Sequence, residues 1–220
     1  MRTLSLIIVG VVFSFPLQSQ VISDYGVKVA MTVSDFDIVN KHPVNVGGQS
    51  LYLDYTTGSS LNPSIGLFAR LPIIENVILE TELLYLQKGA RKTYVYKVTT
   101  IENPEGTGET INYTNQIGLH YLQFSANLLP KIKFENIDVY GIVGPTLGYL
   151  TQVTNFFIEE SKKKDFAFGY SVGIGVNLRE IISNSFLLEV KYCKDFSEFY
   201  SSGNGDYWNR VFILSLGTTL

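Results

Sequence analysis

The chain has 220 residues with 17 basic and 20 acidic side chains, and its formal net charge of −3 disfavours a nucleic-acid-binding protein, which usually carries a basic patch. Charged residues make up 17% of the chain and hydrophobic residues 45%, whereas an ordinary soluble protein has about 25% charged residues. The single cysteine, Cys193, excludes an internal disulfide. The 14 tyrosines, 14 phenylalanines and 19 glycines favour a half-apolar sheet rich in aromatic residues over a solvated globule.

The chain begins with a segment that we interpret as a signal peptide. Arg2 supplies a positive charge, an apolar run follows over residues 4–15, and Ser19 offers a small residue at a plausible cleavage point. A first transmembrane helix is the alternative, but the apolar run is shorter than a membrane-spanning helix requires. We therefore expect residues 1–20 to be removed on export and residues 21–220 to form one outer-membrane barrel domain.

From Tyr25 to the last residue, apolar side chains alternate with small or polar ones, and this period of two is typical of β-strands. The pattern predicts eight strands, at residues 25–33, 65–71, 77–86, 121–128, 139–149, 167–178, 186–193 and 211–220. Short connections (72–76, 130–136 and 179–184) alternate with long ones (34–62, 98–114, 152–165 and 197–206). This arrangement predicts an all-β fold, an eight-stranded antiparallel up-and-down transmembrane β-barrel.

The two faces of the predicted strands distinguish a membrane barrel from a soluble, lipocalin-like barrel. A soluble barrel exposes its polar face to water, so that face should be rich in lysine, glutamate and aspartate. The sixth strand instead has small, uncharged residues on that face: Ala167, Gly169, Ser171, Gly173, Gly175 and Asn177. Such residues suit the crowded interior of a narrow barrel, and the large apolar residues opposite them suit lipid. We therefore expect the barrel to contact outer-membrane lipid.

Six charged residues fall on the face that we assign to the lumen: Lys28, Arg70, Glu80, Glu82, Glu189 and Lys191. Three are basic and three are acidic, so we expect them to pair, because unpaired buried charges are strongly unfavourable. An eight-stranded barrel has just enough room for its own side chains, so we predict a plugged lumen with a structural charge network. Lys28 and Lys191 have an alternative position, in water near a mouth of the barrel.

The connections and the aromatic residues predict how the barrel lies in the membrane. In barrels of this kind the short turns face the periplasm and the long loops face outside, so both termini are expected on the periplasmic side. Aromatic residues near the loop bases, including Phe196 and Trp208, are expected to form an interfacial girdle, with a protein-contact patch as the alternative. Phe156 and Phe157, deeper in a loop, are the best candidates for contact with other envelope or secretion proteins.

Several short motifs carry a resemblance to a known family, at residues 25–29 (YGVKV), 82–89 (ELLYLQKG), 121–124 (YLQF), 144–145 (GP) and 173–176 (GIGV). With these motifs the chain resembles the outer-membrane β-barrel proteins of Bacteroidetes, called PorT-like or porin family, which are similar in build to OmpX and the barrel of OmpA. The chain departs from the family at Gln123 and Ser125, where an acidic residue followed by proline is usual, and at Leu220, where phenylalanine is usual. The resemblance implies the fold and the outer-membrane location, and the PorT name implies a part in type IX secretion.

The sequence carries no convincing catalytic constellation. A rim enzyme would need a histidine near a serine and a carboxylate, and neither His42 nor His120 is linked by spacing to a nucleophile. Two histidines and one cysteine also provide no metal-ligand cluster. We therefore expect no catalytic residue, metal or cofactor, and a non-enzymatic barrel that is structural, adhesive or accessory to an envelope machine. A narrow small-solute pore and a lipid-modifying rim enzyme are the alternatives.

Overall fold

The computed structural model describes residues 22–40, 44–46, 49–51, 54–97, 110–154, 164–182, 184–198, 200–202 and 205–220. The predicted signal peptide at residues 1–20 lies outside these ranges. No helix among the described residues is long and apolar enough to cross a membrane.

Eight long antiparallel strands form the fold: β1 (Asp24–Asn40), β2 (Asp54–Ile74), β3 (Val77–Lys97), β4 (Thr110–Lys133), β5 (Ile137–Thr154), β6 (Phe166–Ile182), β7 (Asn184–Asp195) and β8 (Gly205–Thr219). Each strand pairs with its neighbours in chain order, and β1 also pairs with β8, from Gly26 opposite Thr219 to Asn40 opposite Gly205. This last pairing closes the sheet and confirms the predicted eight-stranded antiparallel barrel. Two shorter pairings complete the strands: Val44–Val46 pairs with Gln49–Leu51 as a separate two-stranded sheet, and Tyr200–Ser202 pairs with β8.

One end of the barrel, which we call the turn end, carries the tight connections. There β2 and β3 are joined by residues 75–76 and β4 and β5 by residues 134–136, and Ile182 at the end of β6 pairs with Asn184 at the start of β7. Asp24, the first residue of β1, pairs with Arg70 near the first of these turns, so both ends of the described chain lie at the turn end. The longer connections lie at the opposite end, the loop end. The turn end is the one that we predict to face the periplasm.

The strands at the loop end are longer than the sequence predicts. β2 begins at Asp54 and β4 at Thr110, so the predicted long connections 34–62 and 98–114 are wrong in extent. The backbone ladder continues through this region, where Tyr94 pairs with Tyr55 on one side and Tyr113 on the other. Alternation of apolar and polar residues depends on one face meeting an apolar environment. Beyond the apolar band that condition ends, and the pattern loses its signal although the strands continue.

The short connections are shorter than predicted for a related reason. Pairing continues almost to each turn, with Ile74 opposite Val77, Lys133 opposite Asp138 and Ile182 opposite Asn184. The predicted extents 72–76, 130–136 and 179–184 are therefore wrong. Proline and polar residues at these positions look like turn signals, but the strand pairing includes Pro72 opposite Ile78 and Pro130 opposite Val77.

Exposure alternates along the strands, in agreement with the predicted faces. On β1, Tyr25, Val29 and Met31 are exposed, whereas Lys28 and Ala30 are buried. The other strands follow the same rule across the middle of the barrel. The outer surface is therefore a band of large apolar side chains that suits lipid. The interior is filled with small, polar and charged side chains together with buried apolar ones.

Glycine on the inner face leaves space for aromatic rings that occupy the lumen. A Cβ atom at Gly175 would lie 2.4 Å from the ring of Tyr140, which is shorter than van der Waals contact, so any larger residue would displace the ring. A Cβ atom at Gly26 would lie 2.0 Å from the backbone oxygen of Thr218 and 2.8 Å from the ring of Phe68, so both the backbone and the ring exclude a larger residue there. Tyr140 and Phe68 in turn contact charged residues of the lumen.

Candidate functional site in the barrel lumen

The structure brings the six charged residues that we assigned to the lumen into one network, which we call the lower charge network: Lys28, Arg70, Glu80, Glu82, Glu189 and Lys191. They are carried by β1, β2, β3 and β7, where alternate residues point inward. Each of these residues is at most 2% exposed. The alternative position of Lys28 and Lys191 in water at a mouth is therefore wrong.

Lys28 and Arg70 each contact the same two carboxylates. Lys28 Nζ lies 2.7 Å from Glu80 Oε1 and 2.8 Å from Glu189 Oε2. Arg70 donates from Nε to Glu80 Oε2 at 2.8 Å and from Nη2 to Glu189 Oε1 at 3.3 Å. The Tyr140 hydroxyl accepts from Arg70 Nη2 at 3.0 Å and donates to Glu189 Oε1 at 2.8 Å. The hydroxyl therefore bridges a cation and a carboxylate, and each carboxylate is shared by two cations.

Lys191 binds the third carboxylate of the network. Its Nζ lies 2.7 Å from Glu82 Oε1, and Ser125 donates its hydroxyl to Glu82 Oε2 at 3.2 Å. Lys28 Nζ lies 3.6 Å from Glu82 and links this pair to the rest of the network. The three cations balance the three carboxylates, so the network is neutral as a whole. Neutrality matters because a buried charge without a partner costs several kcal/mol.

The three carboxylates lie close enough together to raise the question of a metal site. Glu80, Glu82 and Glu189 each offer an oxygen atom within 4.8 Å of the others. However, ammonium or guanidinium groups already donate to all three carboxylates. The geometry is therefore that of ion pairs that join β1, β2, β3 and β7 across the lumen.

A second buried pair, which we call the upper charge pair, was missed by sequence reasoning and consists of Lys88 and Asp195. Lys88 Nζ lies 3.0 Å from Asp195 Oδ1, and Asn209 donates from Nδ2 to Asp195 Oδ2 at 2.8 Å. The ammonium group lies 4.7 Å from the centre of the Tyr121 ring. Both charged residues follow the ends of the predicted strands, at 86 and 193. On each strand, the charged residue is the next inward-facing position after the predicted end, so an extension of the same alternation by two residues would include it.

Apolar residues separate and cover the charged groups. Along β3, the inward residues in order from the turn end are Ile78, Glu80, Glu82, Leu84, Leu86, Lys88 and Ala90. None of them is more than 9% exposed. Toward the turn end, Ile78 packs in a cluster with Leu129, Tyr140 and Ile142. The interior is thus a stack of an apolar layer, the lower charge network, a second apolar layer and the upper charge pair.

The remaining candidate residues lie at the loop end or outside the described part of the chain. His120 is partly exposed on the outer surface, where its Nδ1 lies 2.8 Å from the Tyr85 hydroxyl. His42, Phe156 and Phe157 lie outside the described residues. The aromatic girdle expected near the loop bases includes Phe196, which is 67% exposed.

Comparison with known proteins gives a family and several similar structures. The sequence model of the family described as outer membrane protein beta-barrel domain matches residues 18–200. The chain is similar to Neisserial surface protein A, with 12% identity and a TM-score of 0.47 over 89% of this chain and 96% of that one. For the attachment invasion locus protein Ail of Yersinia pestis, the identity is 11% and the TM-score 0.39, over 90% of this chain and 98% of that one. For outer membrane protein W of E. coli, the values are 13% and 0.39, over 88% and 97%.

No curated protein sequence matches the chain. The family match and the closed barrel together confirm the predicted location in the outer membrane.

Proposed function

This chain belongs to the outer membrane protein beta-barrel domain family, and we propose that it acts as a closed, non-conducting and non-enzymatic barrel. In this proposal the protein acts through the surface of its barrel. It is a structural component of the envelope, an adhesion protein or an accessory to an envelope machine. The lumen serves to hold the strands together.

The observation that carries this proposal is the filling of the lumen. Four successive layers of buried side chains lie across it, and on β3 alone Glu80, Leu86 and Ala90 are fully buried. An eight-stranded barrel is just wide enough for its own side chains. Passage of a solute would require the ion pairs of the lower charge network to separate, and separating buried ion pairs leaves charges without partners.

The length of the strands supports a role outside the bilayer. A membrane-spanning β-strand needs about 9–11 residues, whereas β2 and β3 have 21 residues each and β4 has 24. These three strands therefore extend well beyond the apolar band at the loop end. With the predicted orientation, the extension presents a paired sheet to the outside, where it is available for contact with another protein.

Conductance measurements test the proposal directly. We expect the full chain, folded into a planar lipid bilayer, to give no discrete conductance steps. Lys88→Ala serves as a comparison, since it removes a side chain from the upper lumen and leaves the lower charge network intact. Discrete steps in the unmodified protein, with a size that changes in Lys88→Ala, would establish the narrow pore instead.

The accessory role has its own test, because the resemblance to PorT-like proteins supports a part in type IX secretion. Deletion of the gene should reduce secretion or gliding, and restoration of the full chain should recover both. Co-purification from native outer membranes should then retain components of the secretion machine. Intact secretion and gliding after deletion would remove this version and leave the structural or adhesive role.

A further inference from the structure

Two buried polar atoms next to the upper charge pair have no hydrogen-bond partner among the described residues. They are the hydroxyl oxygen of Tyr121 and the Oδ1 atom of Asn209. Both side chains are at most 1% exposed. Buried polar atoms are nearly always hydrogen-bonded, because burial removes them from water and nothing else compensates that loss. These two atoms therefore need a partner that no described residue supplies.

The two atoms are neighbours in the upper part of the lumen. Asn209 on β8 donates from Nδ2 to Asp195 Oδ2 at 2.8 Å, so its Oδ1 atom faces away from that carboxylate. The Lys88 ammonium group, which binds Asp195, lies 4.7 Å from the centre of the Tyr121 ring on β4. Asn209 lies beside the Tyr121 hydroxyl, but the two side chains form no hydrogen bond with each other.

The hydrogen-bonding properties of the two atoms are complementary. The Tyr121 hydroxyl can donate one hydrogen bond, whereas the amide oxygen of Asn209 only accepts. A ligand between them must therefore accept from the hydroxyl and donate to the amide oxygen. A metal cation cannot accept from the hydroxyl, and a simple anion cannot donate to the amide oxygen. Water does both, and a buried water molecule typically joins two to four polar groups.

Small residues of β5 and β6 leave space beside these groups. Gly169, directly opposite Asp195, and the buried Ala167 are the inward-facing residues of β6 at this level. Gly148 on β5 pairs with Ala167, and a Cβ atom added to Gly148 would lie 3.0 Å from the Tyr121 ring. At this level, β5 and β6 therefore place no side chain larger than a methyl group against Tyr121 and Asp195.

Burial limits the size of the ligand. Lys88, Tyr121, Asp195 and Asn209 are each at most 3% exposed. A solute that binds from outside the barrel needs an exposed polar surface, and these four residues present almost none. Water occupies buried polar sites of this kind as part of the folded structure.

We propose that one ordered water molecule binds between the Tyr121 hydroxyl and Asn209 Oδ1. It accepts a hydrogen bond from the hydroxyl and donates one to the amide oxygen. The upper charge pair then belongs to a network that includes β4 as well as β3, β7 and β8, and this network connects opposite walls of the barrel. The site is independent of what the outer surface binds, so failure of one proposal does not decide the other.

A crystal structure of the full chain, at a resolution that shows ordered water, tests the proposal. We expect electron density for a water molecule at about 2.7–3.2 Å from both the Tyr121 hydroxyl and Asn209 Oδ1. Tyr121→Phe keeps the ring beside Lys88 but removes the hydroxyl, and this variant should lose the water. Tyr85→Phe is the matched control, because it removes a hydroxyl that is bonded to His120 on the outer surface and should keep the water.

Nuclear Overhauser effects between water and the Asn209 side-chain amide protons provide the same test in nanodiscs. We expect these effects in the unmodified protein and in Tyr85→Phe, and their loss in Tyr121→Phe. A direct hydrogen bond between Tyr121 and Asn209, or no density between them in the unmodified protein, would overturn the proposal. Retention of the water in Tyr121→Phe, by either measurement, would also overturn it.

Discussion

The lower charge network and the upper charge pair both bury ions in the same lumen, but they differ in how many partners each ion has. In the lower network, Glu80 and Glu189 each contact both Lys28 and Arg70. In the upper pair, Lys88 contacts only one carboxylate among the described residues. The lower network thus links four strands. The upper pair joins β3 and β7, and Asn209 of β8 donates a hydrogen bond to it.

This difference in connectivity should decide what each charge contributes to stability. Removing one partner of a buried ion pair leaves an uncompensated charge, and the cost rises with the number of groups that lose their partner. A shared cation is therefore harder to replace than one with a single carboxylate. The following predictions test that comparison with the free energy of unfolding in urea, measured on the full chain in lipid vesicles.

Lys28→Met should give the largest effect. Lys28 donates to Glu80 and Glu189 and lies near Glu82, so its loss leaves three carboxylates facing two cations. We expect the free energy of unfolding to fall by about 3–5 kcal/mol. Migration on a gel with and without heating checks that the variant still folds. A fall of less than the effect of Lys88→Met would contradict the comparison.

Lys88→Met should have a smaller effect, because Asp195 keeps its hydrogen bond from Asn209. We expect a loss of about 2–3 kcal/mol from the remaining buried carboxylate. The double variant Lys88→Met, Asp195→Leu should recover most of this loss, since no buried charge is then unpaired. A double variant as unstable as the single one would mean that the pair acts mainly through packing, and the contrast with the lower network would fail.

The same two clusters show what the sequence can and cannot predict. All members of the lower network lie within the strands that the sequence predicts, where strict alternation gives their side as well as their strand. Lys88 and Asp195 have the same parity, but they follow the point where the outer face ceases to be apolar. The alternation therefore predicts strand ends that come too early, and Lys88 and Asp195 fall outside the predicted strands.

Side-chain partners lie beyond the reach of a single sequence for a different reason. Which lysine meets which glutamate depends on how far neighbouring strands are staggered, and alternation fixes only the face. The sequence pattern does not predict that the Tyr140 hydroxyl bridges Arg70 and Glu189. In the sequence, an inward-facing tyrosine looks like any other packed aromatic residue. The fold, the two faces and the charged set were predictable, whereas the contacts required the register.

Gly175→Ala should test the network through its packing, with an intermediate effect. The new Cβ atom would lie 2.4 Å from the Tyr140 ring, so the ring must move and its hydrogen bonds to Arg70 and Glu189 must lengthen. We expect a loss of about 1–3 kcal/mol from overpacking. Gly141→Ala is the matched control, because there the nearest atom outside the adjacent residues is a Pro130 carbon at 3.4 Å. Equal losses in the two variants would point to backbone effects rather than the ring.

Lys133→Gln should give the smallest effect and sets the lower limit of the comparison. Lys133 lies 3.7 Å from Glu75 at the turn end, and both side chains are exposed. Water and salt screen such a pair, so its loss should change the free energy of unfolding by less than about 0.5 kcal/mol. Lys133 and Lys28 each have a carboxylate oxygen within 4 Å. The two lysines therefore differ in burial and in the number of carboxylates they contact, not in whether they form an ion pair. A loss of the same size as in Lys28→Met would mean that ion pairing alone, rather than its burial and sharing, stabilises the barrel.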